Sequence, residues 1–165
     1  MLMFLMFHAS LVAQLSIGAR SDRAQRDAAH DSVAVEKVAA EYAATKILNA
    51  AAHGHVALDS HDAFDRARSA ARERELERIL GAETAYRSDI ISCSSGPSSC
   101  RLNHYAAVVR IRIDALTATS AEVSVMVIRE DRSRRSPVWT YHPTLLLERQ
   151  QHAWHFVRVL RVTQS

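Results

Sequence analysis

The chain has 165 residues, of which 48% are hydrophobic, 24% charged and 6% aromatic, and its formal net charge is +3. With 4 Gly and 3 Pro, this composition excludes collagen-like, low-complexity and wholly disordered proteins. A net charge of +3 does not by itself indicate a protein that binds nucleic acid.

The first 19 residues stand apart because they contain no Asp, Glu, Lys or Arg. The apolar run ends in Ile17-Gly18-Ala19, which is typical of a secretory signal peptide and its cleavage site, although the usual basic start is missing. An uncleaved anchor is the alternative, but the run is shorter than the roughly 20 residues that span a membrane. We predict a signal peptide at 1–19, a flexible segment at 20–31 and one domain at 32–165. This organisation predicts export to the periplasm or the exterior of a bacterium.

Two helices are predicted in the first half of the domain. The first covers 33–53 and ends at Gly54, because a glycine after an apolar-periodic run is typical of a helix end. A short apolar strand at 56–58 precedes the second helix, which covers about 62–80 and ends at Gly81. Its alternating Arg and Asp or Glu residues predict a solvated, mutually paired face.

Cys93 and Cys100, which follow a predicted strand at 89–93, enclose six small or turn-forming residues that let the chain double back. An exported chain with two cysteines favours a disulfide between them, worth roughly 2 to 3 kcal/mol from loop entropy. Two alternatives stay open: a pair of buried free thiols, and half of a metal site completed by His104. Zinc and redox sites usually have the closer C-x-x-C spacing, which disfavours the metal site.

After Cys100, apolar and polar residues alternate, which predicts strands with one covered face. Runs at 109–113 and 123–127 are followed by runs at 137–150 and 152–163, with a hairpin turn at 150–152. Pro143 interrupts the third run and predicts an edge position or a bulge, because proline cannot donate to the ladder. Helices packed on a curved antiparallel sheet of four to five strands give an α+β fold.

The closing segment Leu145–Val159 is a hydrophobic hairpin in which Trp154 follows the turn. Together with the order of elements over residues 32–163, it resembles the NTF2-like superfamily, in which helices and a strongly curved sheet form a cone around a pocket. The segment 93–102 and the Trp hairpin are also similar to uncharacterised exported bacterial proteins. Neither resemblance supplies a catalytic residue.

Some domains with this cone architecture act as isomerases, dehydratases or hydrolases, with an Asp or His in the pocket and a Tyr or Arg that orients the substrate. The residues that could play such parts, if they point inward, are Tyr42, Arg110, Arg112, Tyr141 and His142. The simpler interpretation of the two arginines is that they face water on the outer side of their strand. Sequence does not fix the strand register, and a slip of one residue would reverse every assignment.

Imidazole and carboxylate groups, the ligands that divalent metals accept, are concentrated between the two helices. They are His53, His55, Asp59, His61 and Asp62. We predict no metal site, because a helix end accounts for His53, capping accounts for Asp59, and the spacing matches no known helical ligand pair.

Two further groups have structural interpretations. The arginines at 129, 132, 134 and 135 predict a solvated hairpin tip, and no aromatic residues lie among them to stack on bases, so nucleic acid is not an expected partner. Trp139, Tyr141, Trp154 and Phe156 are predicted to fill the core beneath the helices.

No motif in the chain identifies a reaction or a cofactor, and none is predicted. The sequence favours an exported, non-catalytic binding or interaction domain, whose partner is a small apolar ligand or an envelope protein. A homodimer is left open. The alternative is a small isomerase or hydrolase that uses a His or Asp base, which a cavity with converging ionisable groups would support.

Overall fold

The computed structural model describes residues 30–48, 55–61, 69–93, 100–130 and 138–164. The chain divides into two compact units, Met1–Val33 and Ala34–Ser165. Residues 30–33 are the described part of the first unit, and they are helical. The predicted signal peptide at 1–19 lies outside the described residues.

Three helices are described. Helix α1 covers residues 30–42 and continues as a π-helical turn over Ala43–Leu48. Helix α2 covers Ala70–Leu80, and the short helix α3 covers Arg87–Ile90. The first predicted helix is confirmed over 33–48, and the remainder of its predicted range lies outside the described residues, as do 62–68 of the second.

Gly81 ends α2 as predicted. Its backbone is left-handed, with a φ of 61°, and its N–H donates to the carbonyl of Glu77. Glycine has no Cβ, so it adopts this conformation without the steric penalty that other residues incur.

Among the described residues, six strands form one sheet and two form a separate hairpin. The strands are β1 Val56–Asp59, β2 Ala82–Ala85, β3 Ile91–Cys93, β4 Cys100–Leu102, β5 Ala107–Leu116, β6 Ser120–Glu130, β7 Val138–Gln150 and β8 Ala153–Gln164. The sheet order is β2-β1-β5-β6-β7-β8, and β3 pairs with β4. The α+β class is confirmed.

The predicted sheet of four to five antiparallel strands needs a correction at one end. The long strands β5 to β8 form the expected antiparallel meander, but β1 pairs in parallel with both β2 and β5. Helix α2 lies between β1 and β2 in the chain, and such a crossover lets β2 run in the same direction as β1. The strand predicted at 89–93 begins only at Ile91, because residues 87–90 form α3.

The hairpin between β7 and β8 is confirmed. Gln151 and His152 at its turn both have positive φ values, 49° and 70°, which match the twist of the two flanking strands. Of the two alternatives that Pro143 predicts, an edge position or a bulge, the edge position does not apply, because β7 lies between β6 and β8. The predicted bulge is confirmed beside it: the register with β8 shifts between Thr144 and Leu145.

The two faces of the sheet differ in character. We call the side that carries Val109, Ile111 and Ile113 the core face, because these residues are buried in one cluster with residues of α1 and α2. The opposite side, the outer face, begins with a smaller apolar cluster that includes Val108 and Leu102. Beyond that cluster, β5 presents Arg110 and Arg112 on the outer face.

Helices α1 and α2 are joined by a buried ion pair, which corrects the prediction of a solvated charged face. The side chain of Glu36 is fully buried, and it pairs with Arg72, whose side chain is 13% exposed. A second pair, Lys37 with Glu75 at 3.2 Å, lies at the surface. Two charged residues of α2, Arg72 and Glu75, therefore pair with residues of α1.

Candidate functional site

The five residues predicted as pocket candidates lie on two different faces of the sheet. Tyr42 of α1 stacks at 4.8 Å between ring centroids on Phe156, and Tyr141 packs against the same core cluster. Burial raises the pKa of Tyr42, and Tyr141 acts in the same direction. Arg110, Arg112 and His142 alternate with core-face residues and therefore belong to the outer face. The sequence-predicted set does not converge on one point.

The first polar cluster on the outer face surrounds Asp59, whose side chain is 3% exposed. Arg110 donates from its Nε to Asp59 Oδ2 at 2.8 Å, and its Nη2 donates to the same oxygen. The other oxygen, Oδ1, accepts the backbone N–H of His61 at 3.1 Å and lies 3.1 Å from the ring Nδ1 of His61. An ionised carboxylate only accepts hydrogen bonds, so Nδ1 carries the hydrogen in this contact.

The arrangement of strands creates this cluster. Leu58 pairs with Val109 in the parallel ladder, so Asp59 comes level with Arg110 at the end of β1. Burial by itself would raise the pKa of Asp59, but the hydrogen bonds from Arg110 and His61 and the charge of Arg110 hold that pKa below its ordinary value. Asp59 is thus an ionised carboxylate that both neighbours stabilise, which makes it a weak base.

The structure therefore corrects two interpretations. Arg110 does not simply face water, because its side chain is 26% exposed and bonded to Asp59. Asp59 and His61, predicted as a cap and as weak metal candidates, contact each other, while His53 lies outside the described residues. His55 is exposed. Within the described ranges, no group of three or more His, Cys, Asp or Glu side chains could hold a metal ion.

The second polar cluster lies across β5 to β8. Arg112 donates from Nε to Asp114 Oδ1 at 2.8 Å, and its Nη2 lies 2.7 Å from the same oxygen. The hydroxyl of Ser124 donates to the other oxygen of Asp114. Two strands further, Arg161 donates from Nε to the hydroxyl of Thr144 at 3.0 Å. Each arginine is therefore held by a neighbour on the sheet.

The strand register places these residues in one row. Arg112 pairs with Ser124, Ser124 with Thr144, and Thr144 with Arg161. Because neighbouring strands lie about 4.8 Å apart, the backbones of the two arginines are about 14 Å apart. Ser124 and Thr144 are both buried between them. The row consists of two hydroxyl groups with a guanidinium group at each end.

His142 lies beside this row, two residues before Thr144 on β7. Burial lowers its pKa, Asp114 acts in the opposite direction, and the positive charges of Arg112 and Arg161 act together with burial. His142 is therefore predominantly neutral near pH 7, and it lies within electrostatic reach of one carboxylate and two guanidinium groups.

Sequence reasoning identified Arg112 and His142 but not Asp114, Ser124, Thr144 or Arg161. A signal was available, because polar residues occupy alternate positions of the predicted strands, and a shared face follows once the register is known. The sequence predicts Arg129 at a solvated hairpin tip, but the residue belongs to β6 and donates to the carbonyl of Ile47. Burial lowers its pKa. The other arginines of that predicted loop lie outside the described residues.

The predicted aromatic core is confirmed in part. Trp154 is buried in the main cluster, and Tyr141 packs against it. Phe156 stacks on Tyr42 but remains 39% exposed, because β8 is the last strand of the described sheet.

A scan against protein-family models finds no match, and searches of curated proteins and of solved structures find none either. Among the described helices, none combines the length and the apolar character that a membrane crossing requires.

Proposed function

We propose that this chain is an exported, non-catalytic binding or interaction domain. The observation that best supports the proposal is the separation of the pocket candidates. A pocket enzyme needs its acid, base and orienting groups around one reacting point. Here the sheet separates Tyr42 and Tyr141 on one side from Arg110, Arg112 and His142 on the other.

The NTF2-like arrangement is part of this proposal. It is supported by helices packed on one face of a long antiparallel meander, and by the closing hairpin with Trp154 buried in the core. The parallel pairs of β1 add two short strands, β1 and β2, to the antiparallel meander of β5 to β8, where the prediction was four to five strands in all. Of the two partner classes, the charged outer face favours an envelope protein, or another polar envelope component, over a small apolar ligand.

Export and the disulfide belong to the same proposal. Cys93 and Cys100 are direct partners in the β3–β4 hairpin. Directly opposed residues in an antiparallel pair have Cα atoms about 4.5 or 5.5 Å apart, and both distances allow a disulfide. Mass measurement on protein from the cell envelope tests both points. We expect loss of residues 1–19 and a gain of two hydrogens on reduction. An intact chain in the cytosol with reduced thiols would contradict the proposal.

A second candidate function rests on His61. Its Nδ1 is fixed by the carboxylate of Asp59, so Nε2 is the nitrogen that remains able to accept a proton. A histidine oriented by an aspartate is the base of many hydrolases. This is the small pocket enzyme that the sequence left as the alternative.

One experiment separates the two functions. The exported protein is mixed with a panel of envelope-derived polar compounds and small apolar compounds, thermal unfolding detects binding, and NMR of the recovered compound detects conversion. Stabilisation without conversion supports a binding domain. If a compound is converted, and the conversion is lost in His61→Gln but retained in His55→Gln, the protein is an enzyme instead. His55 is the control because it is an exposed histidine near His61 in the chain. Failure of every compound to stabilise the protein would count against binding.

A further inference from the structure

We propose that the outer face binds an oxyanion, a carboxylate or phosphate group, between Arg112 and Arg161 and beside His142. This inference rests on the proposed binding function and names the ligand class and the place. It follows from the row of residues across β5 to β8 and from the charge that this row carries.

The row carries a net positive charge. Two guanidinium groups and one carboxylate, that of Asp114, leave one net positive charge in the second cluster while His142 is neutral. The first cluster contributes little, because Arg110 is neutralised by the buried carboxylate of Asp59. Arg112, Arg161 and Asp114 therefore give the row itself a net positive charge.

Both arginine side chains are held in place before any ligand binds. Asp114 contacts Arg112 through two nitrogens, yet the Arg112 side chain is 64% exposed. Arg161 is also exposed and uses its Nε to contact Thr144. A guanidinium group has five N–H donors. Arg161, held at Nε, and Arg112, held at Nε and through one hydrogen of Nη2, therefore each keep a planar fork of two N–H groups at the Nη end that fits a carboxylate or a phosphate. Holding both side chains in advance reduces the entropy that binding costs.

His142 supplies a third donor. Burial and the two arginines lower its pKa, and these arginines together with Asp114 are the charged groups that act on it from β5 and β8. A bound anion would offset the positive charges and favour the protonated imidazole. Binding and protonation of His142 are then coupled, so the anion should bind more tightly as the pH falls through the pKa of His142.

Arg158 is the matched control on the same strand. It is exposed on β8 like Arg161, but it pairs with Leu146 and lies outside the row of hydroxyl groups. Changing either residue to Gln removes one charge from β8. A ligand held by the row should distinguish the two changes, whereas a ligand attracted by overall charge should not.

The experiment is an NMR titration of the exported protein with sodium phosphate and sodium acetate, at constant ionic strength set with sodium chloride. We expect phosphate or acetate to raise the pKa of His142, and Arg112→Gln and Arg161→Gln to weaken binding about tenfold each, as the loss of a charged hydrogen bond implies. Arg158→Gln should change the dissociation constant of the anion less than about twofold. Thermal unfolding midpoints near that of the wild type verify that each variant folds.

A second set of binding measurements distinguishes a lipid headgroup from a soluble ion as the source of the oxyanion. Vesicles of phosphatidylglycerol, compared with vesicles of phosphatidylcholine, test an anionic lipid headgroup, and the free ions test a soluble ligand. Selective binding in either arm that depends on Arg161 but not on Arg158 supports the site. Equal losses in both variants, or no binding in either arm, would overturn it. If the oxyanion site fails this test but another compound of the panel described above stabilises the protein, the proposed binding function still holds. If no compound stabilises the protein, both the oxyanion site and the binding function are refuted.

Discussion

The buried ion pair between Glu36 and Arg72 gives the sharpest prediction about stability. Glu36 lies on α1 with no exposed surface, and Arg72 lies on α2 with 13% of its side chain exposed. We expect Arg72→Met to cost about 3 to 5 kcal/mol of unfolding free energy, because it leaves a fully buried carboxylate without its partner. Glu36→Met should cost less, because the long side chain of Arg72 can move its charge towards water.

Replacing both residues removes the ion pair together with the cost of burying its two charges. Replacing both residues by Met should be neutral, or stabilising by up to about 4 kcal/mol, because the cost of burying two charges disappears with them. Lys37→Met is the control for the surface pair with Glu75, which lies between the same two helices. With side chains 45% and 40% exposed, that pair should contribute less than about 1 kcal/mol.

Urea unfolding of the wild type, the two single variants of the pair and the double variant, followed by circular dichroism, gives the coupling energy of a double-mutant cycle. A stable domain has only about 5 to 15 kcal/mol in total, so the Arg72→Met protein should lose a large share of its stability. If Arg72→Met costs no more than Lys37→Met, the ion pair is not buried in solution and the packing of α1 on α2 is different from that described above.

Three further predictions concern single positions. Gly81→Ala should cost about 1 kcal/mol in urea unfolding because of its left-handed backbone alone, since a Cβ there would meet no atom within 4 Å; an unchanged midpoint would refute this. The lowered pKa of Asp59 means that its carboxylate stabilises the fold above its unfolded pKa of about 3.9, and that this contribution disappears as the pH falls through the folded value. Unfolding free energies of Asp59→Asn and wild type should therefore converge in acid, and a constant difference from neutral to acid would contradict it. Reduction, or Cys93→Ser with Cys100→Ser, should lower stability by roughly 2 to 3 kcal/mol, and equal unfolding midpoints with and without reductant would exclude the bridge.

The long strands could be predicted because their signal is local. Alternation over 109–113 and 123–127 is visible in any short window, and the structure places these residues in β5 and β6. Strand β2 has four residues and no such signal. It is a strand because it pairs in parallel with β1, about 25 residues earlier in the chain, and a window of sequence does not contain that partner.

The charged residues show even more clearly that a short window of sequence does not determine which side chains are buried. Glu36 lies in an Ala-rich helix among other charged residues, and nothing nearby in the sequence distinguishes it from Glu41, which is exposed. Its burial depends on Arg72, on another helix. Arg129 is the second-last residue of β6 and lies near a basic segment, yet its partner is the carbonyl of Ile47. In each case the deciding contact is distant in sequence.

Arg110 and Arg112 show what this means for function. In the sequence they are equivalent, since both alternate with buried residues of one strand and share one face. Strand β1 makes them different, because it runs beside β5 only as far as Val109 and brings Asp59 level with Arg110. Arg112 lies beyond the end of β1 and pairs with Asp114 of its own strand, so most of its side chain stays exposed. The parallel docking of four residues therefore makes one arginine part of the framework and leaves the other available to a ligand.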